Sequence, residues 1–217
     1  MRPFILFLLL CIIVNGCIRR GVDDNTITHE KAAPVSAHQQ LLSKYITITQ
    51  DTLHIYSCSE PYADSFYFAG TYLDSALSLL LTGNKDHQLN SYYACFQFPI
   101  DSTTTGLITR TPSEYTSSSI RLFLYDKQKD TIYPSLELAE SWGDAGDYMS
   151  KDAWLFWGKE HHQLNCFVWQ TNGHDNSMDN EKDTTQTEEN LYYLVGISKG
   201  KSDTLNYHAA ALAKRFK

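Results

Sequence analysis

Two apolar runs in the C-terminal half, Ala153 to Trp157 and Leu164 to Thr171, constrain this chain most. Alternate residues of a strand point to opposite faces. Trp154 and Phe156 therefore oppose Leu155 and Trp157, and Leu164, Cys166 and Val168 oppose Phe167 and Trp169. Both faces of this hairpin are apolar. Strands of that kind lie in the middle of a sheet and are covered on both sides.

The rest of the chain reads as short strands with turns between them. Ile46 to Ile48 and Leu53 to Tyr56 flank Thr49 to Thr52 as a hairpin, and Ser65 to Tyr72 is the next strand. Ala76 to Leu81 reads as a strand, or Leu77 to Leu81 as a short helix, a choice that periodicity cannot make at that length. Gly83-Asn84-Lys85-Asp86 is a turn, followed by a strand over Leu89 to Phe98. Leu107 to Thr111 reads as an edge strand ended by Pro112. Ser119 to Tyr125 is a strand, turned by Asp126 to Asp130 and returning at Thr131 to Tyr133. Leu138 and Trp142, four apart, suggest a short helix over Leu136 to Trp142 with Gly143 as its cap. Leu191 to Ser198 pairs with Thr204 to Tyr207, and His208 to Phe216 is a terminal helix. The expected fold is mainly β: an antiparallel β-sandwich or partly closed barrel with one or two short helices.

The N-terminus carries a different signal. Arg2 precedes an unbroken apolar run from Phe4 to Val14, the pattern of a secretory signal peptide. The run is shorter than the roughly 20 residues that a membrane-spanning helix needs. It ends in Val14-Asn15-Gly16-Cys17. These residues resemble the lipobox of bacterial lipoprotein precursors, with Asn15 at a position where that family usually carries a small or apolar residue. The resemblance covers the signal and Cys17 alone. It implies a diacylglyceryl group on the Cys17 thiol, cleavage after Gly16 and a protein of the bacterial cell envelope. That protein would be held at the outer membrane, facing the periplasm or the cell surface. An ordinary secretory signal with an incidental Cys17 is the alternative reading. The expected organisation is a signal peptide over 1–16, a lipidated N-terminus and flexible tether over 17–40, and a single β-rich domain over 41–217.

Removal of residues 1–16 leaves 201 of 217 residues, enough for one domain with a real core. Among 18 Lys+Arg and 25 Asp+Glu only Arg2 falls in the signal, so the remainder carries a formal charge of −8. That balance argues against a nucleic-acid partner, which requires a basic stripe. Apart from Cys17, the exported part holds Cys58, Cys95 and Cys166. An odd number cannot pair fully, and the exported compartment permits one disulfide among three possible pairs. Cys95 and Cys166 lie within apolar runs, which suits buried thiols.

Asn172 to Asn190 is the longest polar insertion between strong strands. It places Asp175, Ser177, Asp179, Glu181 and Asp183 at alternate positions, the oxygen-ligand spacing of calcium loops. Asn180 and Gln186 stand where such loops carry glycine and a bidentate glutamate. An acidic solvated loop explains the same residues. His161-His162 reads as part of a turn, and no spacing there supports zinc. Trp142, Trp154, Trp157 and Trp169 could supply a sugar-stacking face, although most must serve the core. Glu137, Glu140, Asp144, Asp147 and Asp152 could supply paired carboxylates for glycoside cleavage, which depends on their separation. Ser198-Lys199-Gly200-Lys201 matches S-x-x-K without its partner motifs. No dinucleotide or phosphate-binding glycine motif is present. The residues therefore favour a non-enzymatic envelope module that is anchored to the membrane by lipid and binds an envelope protein or glycan. An envelope hydrolase acting on glycan and a calcium-binding β-domain are the alternatives.

Overall fold

The computed structural model describes residues 36–58, 65–83, 91–113, 118–158, 163–198, 201–206 and 208–216. The signal, Cys17 and all but the end of the expected tether lie outside them. The chain enters through helix α1 (Ala37–Leu42), which begins within the expected tether and is closed by a capping box between Ser36 and Gln39. β1 (Ile46–Thr47) and β2 (Thr52–Ile55) follow, then β3 (Thr71–Leu73) and helix α2 (Ser75–Thr82). A run of antiparallel neighbours comes next: β4 (Tyr92–Pro99), β5 (Thr104–Thr111), β6 (Ser119–Asp126), β7 (Thr131–Asp144), β8 (Asp147–Trp157), β9 (Leu164–Asp175), β10 (Gln186–Ser198) and β11 (Lys201–Asn206). Helix α3 (Ala210–Phe216) ends the described chain. No described helix is long and apolar enough to cross a membrane.

The strands make one open, largely antiparallel sheet that folds back on itself through β7. Thr131 to Ala139 of β7 pair with β6, whereas Glu140 to Asp144 pair with β8. Two register shifts in the β6–β7 ladder, one next to Pro134, bend the shared strand. Where β7 has left β8, β2 takes its place and pairs with Ala153 to Phe156.

The inner faces of the two halves share one core. Phe96, Ile108, Ile120, Leu122 and Leu124 of the first half meet Leu155, Leu164, Cys166, Val168 and Ile197 of the second. The outer face of the first half packs Tyr92, Leu107, Phe123 and Tyr125 under α1 and α2. The outer face of the second packs Trp154, Phe156 and Phe167 under α3. The expected two-sided burial is thus present over most of 153–156 and 164–168, with α3 as part of the outer cover, whereas Trp157 and residues 169–171 are only partly buried.

Several local expectations are corrected. Ile46 to Ile48 and Leu53 to Tyr56 do not form a hairpin: β1 runs parallel to β4 and β2 pairs with β8. The segment 65–70 is not a strand, because Gly70 adopts a φ of 69° and breaks the extension. Phe66 and Phe68 instead plug the inner core, with the Phe68 ring 5.7 Å from Phe96. Leu136 to Trp142 belongs to β7 and is not a helix. A four-residue spacing returns a side chain to the same face in a strand as well, so Leu138 and Trp142 could not separate the two. Thr104–Thr111 is not an edge strand but lies between β4 and β6 with every residue buried. Ala76 to Leu81 resolves as helix, capped by Asp74, whose side chain accepts from Leu77 N–H, and by Gly83 at a φ of 64°.

Candidate functional site

The outer face of β8, β9 and β10 carries aromatic and polar side chains. Register sets its side chains in rows. Trp154 stands beside Phe167, and Asp152 beside Trp169 and then Tyr192. Ser150 stands beside Thr171 and then Asn190, and Tyr148 beside Gly173 and then Glu188. Strand alternation makes these residues coplanar, since each row is two residues from the next.

The rows are fixed by their own contacts. Tyr148 lies across Gly173, where a Cβ would come within 2.2 Å of its ring, and its hydroxyl donates to Glu188 Oε1 at 2.8 Å. Asn190 Oδ1 accepts from Trp169 Nε1 at 2.7 Å and from Thr171 Oγ1 at 2.9 Å. Two donors on one oxygen set the orientation of the amide and turn Nδ2 to the other side.

At the core end, β2 places His54 beside Trp154, stacked at 4.4 Å and 5°, with Nε2 at 3.0 Å from Asp152 Oδ2. Phe216 of α3 stacks on Trp154 at 5.5 Å. Between these groups lies a cleft of about 280 Å³ lined by Ser150, Asp152, Trp154, Trp169, Thr171 and Phe216. Trp154 is buried by its neighbours, whereas Trp169 is half-buried and is the indole presented to the cleft. The cleft therefore joins a flat aromatic surface to hydroxyl and carboxylate groups.

The four tryptophans do not form one platform. Trp157 packs against the inner core, and Trp142 follows Leu138 along β7, so only Trp154 and Trp169 share the outer face. The carboxylates considered for glycoside cleavage are separately engaged. Glu137 accepts from Lys151 Nζ at 2.5 Å and Arg121 Nη2 at 3.0 Å. Burial pushes its carboxyl up, but these two cations outweigh burial and hold it below the usual range. A general acid requires the opposite shift. Glu140 accepts from the Ser113 hydroxyl, Asp147 pairs with His174, and Asp152 pairs with His54.

The 172–190 insertion is shorter than expected. β9 extends to Asp175 and β10 begins at Gln186, so nine of its nineteen residues are paired strand. Of the candidate calcium ligands, Asp175 accepts from Ser177 N–H and Ser177 Oγ and caps a 3-10 turn over Asn176–Met178. Asp179 binds His174 Nε2 at 3.0 Å, and Asp183 accepts from Thr185 N–H and Oγ1. Glu181 is exposed. Asp175, Ser177, Asp179, Glu181 and Asp183 are not gathered around a centre: among the described residues no group of three or more His, Cys, Asp or Glu could hold a metal ion. His161-His162 lies outside the described residues. Cys95 and Cys166 are free, buried thiols, with burial pushing the Cys95 thiol up to about 12.

His54, Tyr148, Asn190 and Phe216 had no local signal. β2 meets β8 across almost a hundred residues of sequence, and the expected strand began only at Ala153. Starting it at Asp147 would have set Tyr148, Ser150, Asp152 and Trp154 on one face by alternation alone. No protein-family model, no curated protein and no solved structure matches this chain.

Proposed function

We propose that this chain is a lipid-anchored protein of the bacterial cell envelope whose folded domain binds saccharide on the outer face of β8, β9 and β10. The anchor rests on Val14-Asn15-Gly16-Cys17 behind the apolar run. More than one acyl chain on Cys17 would hold the protein stably, at about 0.8 kcal/mol per buried methylene. The binding role rests on one observation: the Trp169 ring borders a cleft whose other walls include Ser150, Asp152 and Thr171. A pyranose ring has an apolar C–H face and a rim of hydroxyls. The indole suits the first, and the Ser150 and Thr171 hydroxyls and the Asp152 carboxylate suit the second.

Asp152 acts in this reading as an acceptor for sugar hydroxyls, held in place by His54. The test is isothermal titration of the protein with a panel of envelope oligosaccharides, repeated with Trp169→Ala. The reading expects binding by at least one saccharide and an affinity loss of about tenfold or more in the variant. Absence of binding across the panel, or equal affinity in Trp169→Ala, contradicts it. Trp142→Ala serves as the control and leaves the affinity unchanged.

A further inference from the structure

A second cavity opens between the two halves of the sheet, remote in function from the outer-face cleft. Ile48, Leu53, Phe98, Leu155, Trp157 and Leu164 wall a volume of about 220 Å³. Leu53, Phe98, Leu155 and Leu164 belong to the shared inner core, so this cavity enters the sandwich and does not merely dent its surface. Its polar side chains come from Thr49, Gln50 and Asp51. These three are consecutive, exposed and part of the β1–β2 connection, so polarity is confined to one side.

We propose that this cavity binds one aliphatic chain of a membrane-type amphiphile whose head group is zwitterionic or cationic. The apolar walls come from both layers, and unfilled apolar volume within a core is destabilising. A ligand rich in heteroatoms would bury polar groups without partners there, which is costly, whereas an alkyl chain has none. The amphiphile's head would sit at Thr49, Gln50 and Asp51. Among the described residues Asp51 is the only charged one in the lining, and its carboxylate disfavours an anionic head. The occupant is a free amphiphile, since an acyl group on Cys17 would bring no such head to Thr49, Gln50 and Asp51.

The experiment follows thermal melting in dodecylphosphocholine below its micellar concentration. It uses the full chain held in lipid nanodiscs and the full-length Cys17→Ala variant. Binding to the folded state raises the melting temperature with ligand concentration. The expected result is a rise of several degrees with dodecylphosphocholine, a smaller one with dodecanoate and none with phosphocholine alone. Leu164→Phe and Leu53→Phe, each of which fills the cavity, should abolish the rise. As a second readout, a bromine-labelled chain should quench tryptophan fluorescence in the wild type and lose most of that quenching in Trp157→Phe. A rise in both protein forms identifies a free amphiphile as occupant. A rise confined to Cys17→Ala contradicts a free amphiphile as the occupant and overturns the assignment. No rise in either form, or an undiminished rise in the filled variants with unchanged quenching in Trp157→Phe, overturns the assignment.

Discussion

Arg110 is 2 % exposed, and its cation is satisfied by the backbone and by an aromatic ring. Its Nη2 donates to Ala69 O at 2.8 Å, and the guanidinium lies 3.7 Å from the centre of the Tyr93 ring. These contacts tie the aromatic plug at 65–70 to the sheet. Arg110→Ala should cost about 2–4 kcal/mol, through lost packing and an unpaired carbonyl, measured by denaturant unfolding. At Gly173 a Cβ would meet the far end of the Tyr148 ring, which would have to swing aside. Gly173→Ala should therefore break the Tyr148–Glu188 hydrogen bond and destabilise by about 0.5–1.5 kcal/mol. His174 joins Asp147 at 2.7 Å and Asp179 at 3.0 Å. The hydrogen bonds to Asp147 and then Asp179 raise its pKa above the ordinary value of 6.5. The clamp's contribution is therefore complete below that ordinary value and is lost as pH rises through the raised one. A histidine NMR titration should show a raised midpoint in the wild type that falls in an Asp147→Asn, Asp179→Asn double variant. An unchanged midpoint would contradict the clamp.

At the scale of elements, helix α2 depends on Asp74, whose Oδ1 accepts from Leu77 N–H at 2.9 Å. Asp74→Ala should cost about 1 kcal/mol in an unfolding titration, because Leu77 and Leu81 bury this helix against the first half of the sheet. β7 carries the larger architectural role, since Ala139 and Glu140 mark where it passes from β6 to β8. Ala139 is fully buried at that corner, so Ala139→Leu should overpack it and destabilise by about 1–3 kcal/mol. Strands with apolar residues on both faces were legible from alternation, as Trp154 and Leu155 illustrate. Pairing was not. Leu53 and Ile55 alternate like half of a hairpin, yet their partner is Trp154 and its neighbours, chosen by the gap β7 leaves. Long-range register is set by three-dimensional packing, and the local pattern of β2 fits either partner equally well. The same limit hid His54 and Phe216 from the candidate cleft, while Trp154 and Trp169 were visible as aromatic positions.

For the whole molecule, two sheet halves share one core, and helices cover part of each outer face. Among the described residues no helix covers the second half from Trp169 to Tyr148, and the proposed saccharide surface lies there. The mainly β class was legible because it depends on composition and alternation, both local properties. The proposed anchor rests on a different kind of signal: a signal peptide is read as a linear pattern, without a fold around it. The surface makes sense as an envelope receptor only if the chain is exported and held there, so the state of Cys17 is the direct test. Intact-mass and N-terminal peptide mass spectrometry of the protein from bacterial membranes should find a chain beginning at Cys17 with a diacylglyceryl group on its thiol. An unmodified Cys17, or a mature chain beginning elsewhere, would contradict the account.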